Sequence, residues 1–153
     1  MIEGQKDLIS VVVAGGSPLW RVGLSTAIQQ DGRLQCVAQA ADRRAGVRRA
    51  RLHAADVLVL LTDEPLTDLP SRRDRFWLRD RRTRLLLLRY RADQPDMAAV
   101  LQGGLLGYGI VSTLTPGELA DGIVALSQDR TWLCAQTRQL LDATASLERV
   151  AVG

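Results

Sequence analysis

The sequence has few of the side chains that metal centres and nucleophilic catalysts require. Its 153 residues include one histidine, His53, and two cysteines, Cys36 and Cys134. Neither cysteine stands in a CxxC or cysteine–histidine spacing, and two cysteines are too few for a disulfide framework. His53 has no motif partner that would make it a base, so we expect it at the surface or a helix end. We therefore predict no enzymatic activity, no metal and no cofactor.

Long apolar runs are also missing. The longest, such as VLVLL at residues 57–61, fall far short of the ~20 residues of a membrane helix. The amino end carries Glu3, Lys6 and Asp7, which is not the pattern of a signal peptide. We expect a cytoplasmic protein with no membrane contact, and the 46% hydrophobic content is typical of one globular domain with a core.

Lysine is nearly absent, because 19 of the 20 basic residues are arginines. Seven of them lie in SRRDRFWLRDRRTR, residues 71–84. Arginine pairs well with phosphate and carboxylate groups. Asp74 and Asp80 are interleaved, however, which favours a solvated helix face over an anion site. The net charge of +3 does not by itself indicate nucleic acid.

Five strand-like runs alternate with helix-like segments. The predicted strands are residues 8–14, 34–40, 56–61, 84–89 and 108–111. Helical spacing follows at residues 18–30, 42–53, 92–104 and 115–129, with Thr115 as a predicted N-cap. Repeated β-α units imply right-handed crossovers. The predicted fold class is α/β, a doubly wound five-stranded parallel sheet flanked by helices, with an extra C-terminal helix.

The loop after the first strand, AGGSPLWRVGL at residues 14–24, matches no phosphate-binding motif. Pro18 interrupts a GxGxxG pattern, and the lysine of a P-loop is missing. The favoured interpretation is a tight turn, and the alternative is an anion held by helix-start amides.

The whole pattern resembles the receiver domain of response regulators, most closely the NarL/LuxR-type branch. The residues that carry this resemblance are Pro18, Leu19, Arg21, Gly23, Leu24, Asp56, Pro65, Gly104, Gly107 and Tyr108, with the TPGEL and TWL segments. The resemblance implies a receiver (flavodoxin-like) domain at residues 8–131. Residues 132–153 would form an exit helix or linker, which in the family leads to a helix-turn-helix DNA-binding domain that is absent from this sequence.

The chemical positions of that family hold other residues here. Gly15 and Gly16 occupy the positions of the family's acidic pair, and Leu61 occupies the position of its phosphoacceptor aspartate. Arg89 occupies the position of the family's Thr or Ser, and Val111 that of its lysine. Aspartate phosphorylation needs carboxylates for Mg²⁺, a carboxylate nucleophile, and a hydroxyl and an ammonium for the phosphoryl oxygens. We therefore predict an atypical receiver with a degenerate phosphorylation site. Asp63 and Glu64 are interpreted as surface carboxylates, not as shifted acceptors.

Two hypotheses concern the emptied site, whose predicted lining is Gly15, Gly16, Ser17, Leu61, Arg89 and Val111. In one, a small organic effector binds there with its anionic part on Arg89. In the other, Arg89 pairs with Asp63 or Glu64 as a permanent lock. The lock is favoured because it requires no ligand.

The predicted function is a phosphorylation-independent regulatory and dimerisation domain of a LuxR-type transcriptional regulator. Such a chain would form a homodimer and reach DNA only through the helix-turn-helix domain outside this sequence. The alternative is a stand-alone module that senses a small molecule or binds a protein through the degenerate pocket. Tyr108 matches the aromatic switch position of the family and Trp132 its exit, with ordinary packing as the other interpretation of both.

Overall fold

A computed structural model describes residues 7–64, 83–91, 107–139 and 142. Its strands are β1 (Ile9–Gly15), β2 (Leu34–Ala40), β3 (Val57–Leu61), β4 (Arg84–Arg89), β5 (Gly107–Ile110) and β6 (Trp132–Leu133). The α-helices with full bounds are α1 (Pro18–Gln29), α2 (Arg43–Leu52) and α3 (Pro116–Ser127), a 3-10 helix spans Val111–Thr113, and residues 135–139 are also helical. The strands pair in parallel in the order β2-β1-β3-β4-β5-β6. The predicted parallel α/β fold class is confirmed.

The sheet has six strands, not the five that the sequence predicted. Trp132 and Leu133, assigned above to the exit segment, pair with β5. A two-residue strand is too short to show any periodicity, which is why the pattern missed it. The Trp132 indole covers two glycines, because a Cβ would come within 3.3 Å of the ring at Gly109 and within 2.7 Å at Gly122.

Both faces of the sheet are covered, and the near-continuous valines and leucines of β3 and β4 are typical of strands buried on both sides. Every residue of β3 is buried. Buried residues on the α2 side include Leu58, Leu60, Leu87 and Tyr108. Those on the side of α1 and α3 include Ile28, Leu61, Leu88, Val111 and Ile123. Alternate residues of each strand therefore point into two separate cores.

Helix starts follow the capping signals in the sequence. The Thr115 hydroxyl accepts a hydrogen bond from the Glu118 amide, and the Glu118 carboxylate accepts one from the Thr115 amide. This capping box confirms the predicted N-cap of α3. Capping satisfies amides that a helix leaves without partners in its first turn, so the α3 start is fixed next to the end of β5.

The helical spacing of α1 predicts that Leu19, Val22, Leu24, Ala27 and Ile28 lie near one apolar face, and this prediction is wrong in part. Leu24 and Ile28 are buried, but Leu19 is 82% exposed and Val22 is 55% exposed. At 3.6 residues per turn, Leu19 lies about half a turn away from Ile28 around the helix. The structure therefore leaves apolar side chains of α1 facing outward.

Several predicted elements lie outside the described residues. These are the arginine-rich stretch up to residue 82, the helix over residues 92–104 and most of the last helix. The division of the chain at residues 131 and 132 stays a prediction. In the part of the chain that the structure describes, no helix has the length and apolar character needed to cross a bilayer.

Candidate functional site

The predicted site residues come together where the strands of the sheet end. Gly15 is in register with Leu61, and Leu61 is in register with Leu88. Arg89 pairs with Ile110, directly before Val111. Since parallel strands present their carboxyl ends at one edge, this edge is where an α/β sheet normally carries its binding loops.

The glycine pair has no room for side chains. Gly15 and Gly16 have φ angles of +80° and +68°, in the left-handed region that favours glycine. A Cβ on Gly15 would lie 2.2 Å from the carbonyl oxygen of Leu61. A Cβ on Gly16 would lie 2.8 Å from Leu61 Cδ2 and 3.2 Å from the Tyr90 hydroxyl. Leu61 and Tyr90 therefore fill the space that a side chain at residue 16 would enter.

Side chains from α1 and from the end of β4 hold the glycine loop. Arg21 Nη1 donates hydrogen bonds to the carbonyl oxygens of Gly15, at 3.3 Å, and Gly16, at 2.7 Å. The Trp20 and Tyr90 rings meet edge to face, with centroids 6.3 Å apart. In the sequence, Arg21 counted only toward the family resemblance, with no contact assigned to it, and Tyr90 was not marked. The position of Arg21 in the first turn of α1 was the signal that could have predicted its contact with the glycine loop.

The edge does not fit a magnesium ion. Mg²⁺ prefers carboxylate oxygens, but the positions that would supply them hold two glycines and a buried leucine, Leu61. The carbonyl oxygens of Gly15 and Gly16 already accept from the Arg21 guanidinium. Among the residues described, no three His, Cys, Asp or Glu side chains converge.

Arg89 holds the loop that follows β3. The side chain is buried, and its Nη1 donates to the carbonyl oxygens of Thr62 and Glu64, both at 2.7 Å. The Asp63 carboxylate accepts from the Tyr90 amide at 3.3 Å, and the Glu64 carboxylate lies 3.7 Å from Arg43 Nε. The contacts described for Arg89 thus reach the main chain of the loop that carries both acids. The predicted pairing of Arg89 with the Asp63 or Glu64 carboxylate stays a prediction.

Three other predicted residues have local roles. The Ser17 hydroxyl caps α1 by accepting from the Trp20 amide at 3.3 Å. Tyr108 is buried in the core on the α2 side of the sheet, so its packing favours the ordinary interpretation, and its switch role stays a prediction. His53 is the exposed C-cap residue of α2, which confirms the expected helix-end position.

An apolar groove of about 210 Å³ lies between α1 and α3. Its lining is Trp20, Gly23, Leu24, Ala27, Val111, Leu114, Thr115, Pro116 and Leu119. Val111 is the one predicted site residue among them. The groove therefore lies beside the predicted effector site and does not include Arg89.

Comparison with known proteins identifies the fold class. No family profile and no curated protein matches the sequence. The solved receiver domain of the response regulator NarL from Mycobacterium tuberculosis is 24% identical, with a TM-score of 0.70, over 82% of this chain and 100% of that chain. A LuxR-family response regulator from Aurantimonas is 23% identical, with a TM-score of 0.76, over 94% of this chain and 99% of that chain.

A third similar structure contains two RcsB dimers bound to two parallel DNAs. It is 19% identical to this chain, with a TM-score of 0.71, over 89% of this chain and 69% of that chain. The chain therefore has the receiver fold, and its structural neighbours are receiver domains of NarL/LuxR-family response regulators.

Proposed function

We propose that this chain is a phosphorylation-independent regulatory and dimerisation domain of a LuxR-type transcriptional regulator, acting in the cytoplasm. The observation that carries the proposal is the filled space beside Gly16, where Leu61 and Tyr90 stand. A receiver that works by phosphorylation needs that space for acidic side chains and a metal ion. Here apolar and aromatic groups occupy it.

Arginine side chains order the loops at this edge of the sheet by hydrogen bonds, without a phosphoryl group. Arg21 holds the loop after β1, and Arg89 holds the loop after β3. Hydrogen bonds from a charged donor are stronger than neutral ones, and Arg89 is buried. We infer that the loops keep one arrangement without a phosphoryl group. The surface that contacts a partner is then exposed whether or not a phosphodonor is present.

Exposed apolar side chains of α1 supply a surface for self-association. Leu19 and Val22 are exposed, and Trp20 is partly exposed beside the groove between α1 and α3. Apolar patches of this kind often mark interaction sites. Because a neighbour with this fold is seen as dimers on DNA, we extend dimerisation to this chain and assign α1 as its face.

Sedimentation velocity tests this proposal. We expect the chain to sediment as a dimer, with the same dimer fraction before and after treatment with acetyl phosphate and Mg²⁺. Val22→Arg should shift it to monomer, because the substitution places a charge in the apolar contact. Leu52→Arg is the matched control, since Leu52 is 80% exposed on α2, and it should leave the dimer intact. A wild-type monomer that dimerises only with the phosphodonor would refute the proposal.

The groove between α1 and α3 supports a second candidate, a stand-alone module that senses an apolar small molecule. Its volume of about 210 Å³ is small for a drug-sized ligand site. A thermal-shift screen separates the candidates. A metabolite that raises the Tm, and loses this effect when Leu119 is replaced by Trp, favours the sensor.

A further inference from the structure

Helix α2 carries five arginines in ten residues and no acidic residue. The acid next to it, Asp42, is used as the N-cap, where its carboxylate accepts from the Ala45 amide at 2.8 Å. The exposed arginines of the helix are Arg44, Arg48, Arg49 and Arg51. This composition differs from the stretch at residues 71–84, where aspartates are interleaved.

The packing of α2 directs these arginines outward. Gly46 and Ala50 are the buried residues of the helix. A Cβ on Gly46 would lie 2.5 Å from Ala14 Cβ, so the helix rests closely on β1. Residues four apart share a helix face, about one turn or ~5.4 Å from each other. Arg44 and Arg48 therefore form a row on the face that points away from the sheet.

Three of the exposed arginines, Arg44, Arg48 and Arg49, are not neutralised by the described part of the chain. Arg43, at the start of the helix, lies near Glu64. No described carboxylate pairs with Arg44, Arg48 or Arg49. Such a concentration of positive charge attracts a polyanion.

The chemistry of the helix favours one class of polyanion. Stable protein interfaces are enriched in apolar or aromatic anchors at their centre, whereas the exposed large apolar residue of α2 is Leu52 at its end. A basic helix binds a membrane through an apolar face, but that face of α2 is buried against the sheet. Binding to a phosphate backbone requires only guanidinium groups. Each of them can donate two parallel hydrogen bonds to the oxygens of one phosphate.

We propose that α2 binds the phosphate backbone of duplex DNA without sequence preference. The helix carries no asparagine or glutamine to read adenine, and we assign its arginines to phosphate oxygens and not to guanine edges. The sequence led us to expect DNA contact only through a domain outside this chain. The exposed residues Arg44, Arg48 and Arg49 of α2 add a contact by this domain itself, and this contact requires neither dimerisation nor the loss of the phosphorylation site.

Fluorescence anisotropy with a labelled duplex tests the proposal. The variant Arg44→Gln/Arg48→Gln/Arg49→Gln removes three exposed charges from α2. The matched control Arg91→Gln/Arg130→Gln/Arg138→Gln removes three exposed charges elsewhere. We expect the α2 variant to bind about tenfold or more weakly at low salt, and its slope of log K against log salt to fall by about 2 to 3, as for three lost phosphate contacts. The control should lose less than about threefold.

The outcomes separate the possible partners, with the circular dichroism Tm of each variant as a check on folding. An equal loss in both variants would mean that only net charge matters, and would overturn the proposal. So would a wild-type chain that binds no duplex at low salt. Binding of anionic vesicles or polyglutamate that depends on α2, with no duplex binding, would assign the helix to another partner and also refute the DNA proposal.

Discussion

Leu61→Asp is expected to lower the free energy of unfolding by about 4 kcal/mol or more, because it buries a carboxylate in an apolar setting. Leu61 is fully buried in the core between the sheet, α1 and α3. The glycines beside it offer no ligand for a cation that would neutralise the new charge. The variant would thus regain the aspartate of a phosphorylatable receiver and lose stability. Urea denaturation followed by tryptophan fluorescence measures the change.

Two further variants at the same position isolate the effect of charge. Leu61→Met should cost less than about 1.5 kcal/mol, since it conserves volume. Leu61→Asn buries a polar group without charge. Burial raises the pKa of the introduced aspartate above its unfolded value of about 3.9, so its ionisation penalty is absent below that pH and grows as the pH rises. The Asp and Asn variants should therefore differ most at neutral pH and converge near pH 4.

An Asp variant as stable as the wild type at neutral pH would contradict this account of the site. Recovery of its stability on adding Mg²⁺ would contradict it as well, because the edge would then hold a metal.

Gly15→Ala is expected to cost about 3 kcal/mol, from a left-handed backbone angle and a collision with the main chain. The new Cβ would lie 2.2 Å from the Leu61 carbonyl oxygen. No side-chain rotation relieves that contact, so β1 and β3 must separate locally. The same denaturation experiment measures the loss.

Two other glycines give matched controls for this substitution. Gly23→Ala, in α1 with no atom near the added Cβ, should be neutral or stabilise by up to about 1 kcal/mol. Gly16→Ala should cost less than Gly15→Ala, since its contacts are with side-chain atoms of Leu61 and Tyr90. Replacing Leu61 by Ala should remove part of that cost. Equal effects at residues 15 and 23 would show that the close approach of β1 and β3 is not as described.

Much of the fold follows from local sequence patterns. Continuous apolar runs such as VLVLL in β3 are visible in any single segment, and Thr115 signals its own helix start. Sequence order also placed Gly15, Leu61 and Arg89 at strand ends, and parallel strands end at one edge. The strand β6 is too short to leave a pattern. The exposure of the Leu19 side chain depends on how α1 packs against the sheet, which the helical spacing does not specify.

The contacts that fill the site could not be predicted in the same way. Tyr90 contacts Trp20 and the space over Gly16 only because the end of β4 and the start of α1, which are distant in sequence, are adjacent in the fold. The carbonyl oxygens of Thr62 and Glu64 that accept from Arg89 could not be predicted either, because every residue carries one. Residue identity therefore does not mark such acceptors. The sequence alone predicts that the acidic pair and the phosphoacceptor aspartate are missing. Only the structure shows that Leu61 and Tyr90 fill the space beside Gly16.

Intact mass spectrometry after incubation with acetyl phosphate and Mg²⁺ tests the central claim most directly. The claim is that this receiver fold takes up no phosphoryl group, because Leu61 and the glycine pair remove the nucleophile and the metal ligands. The predicted result is an unchanged mass. A stable gain of one phosphoryl group, mapped to Asp63 or Glu64, would contradict the claim by showing a working acceptor in the loop after β3.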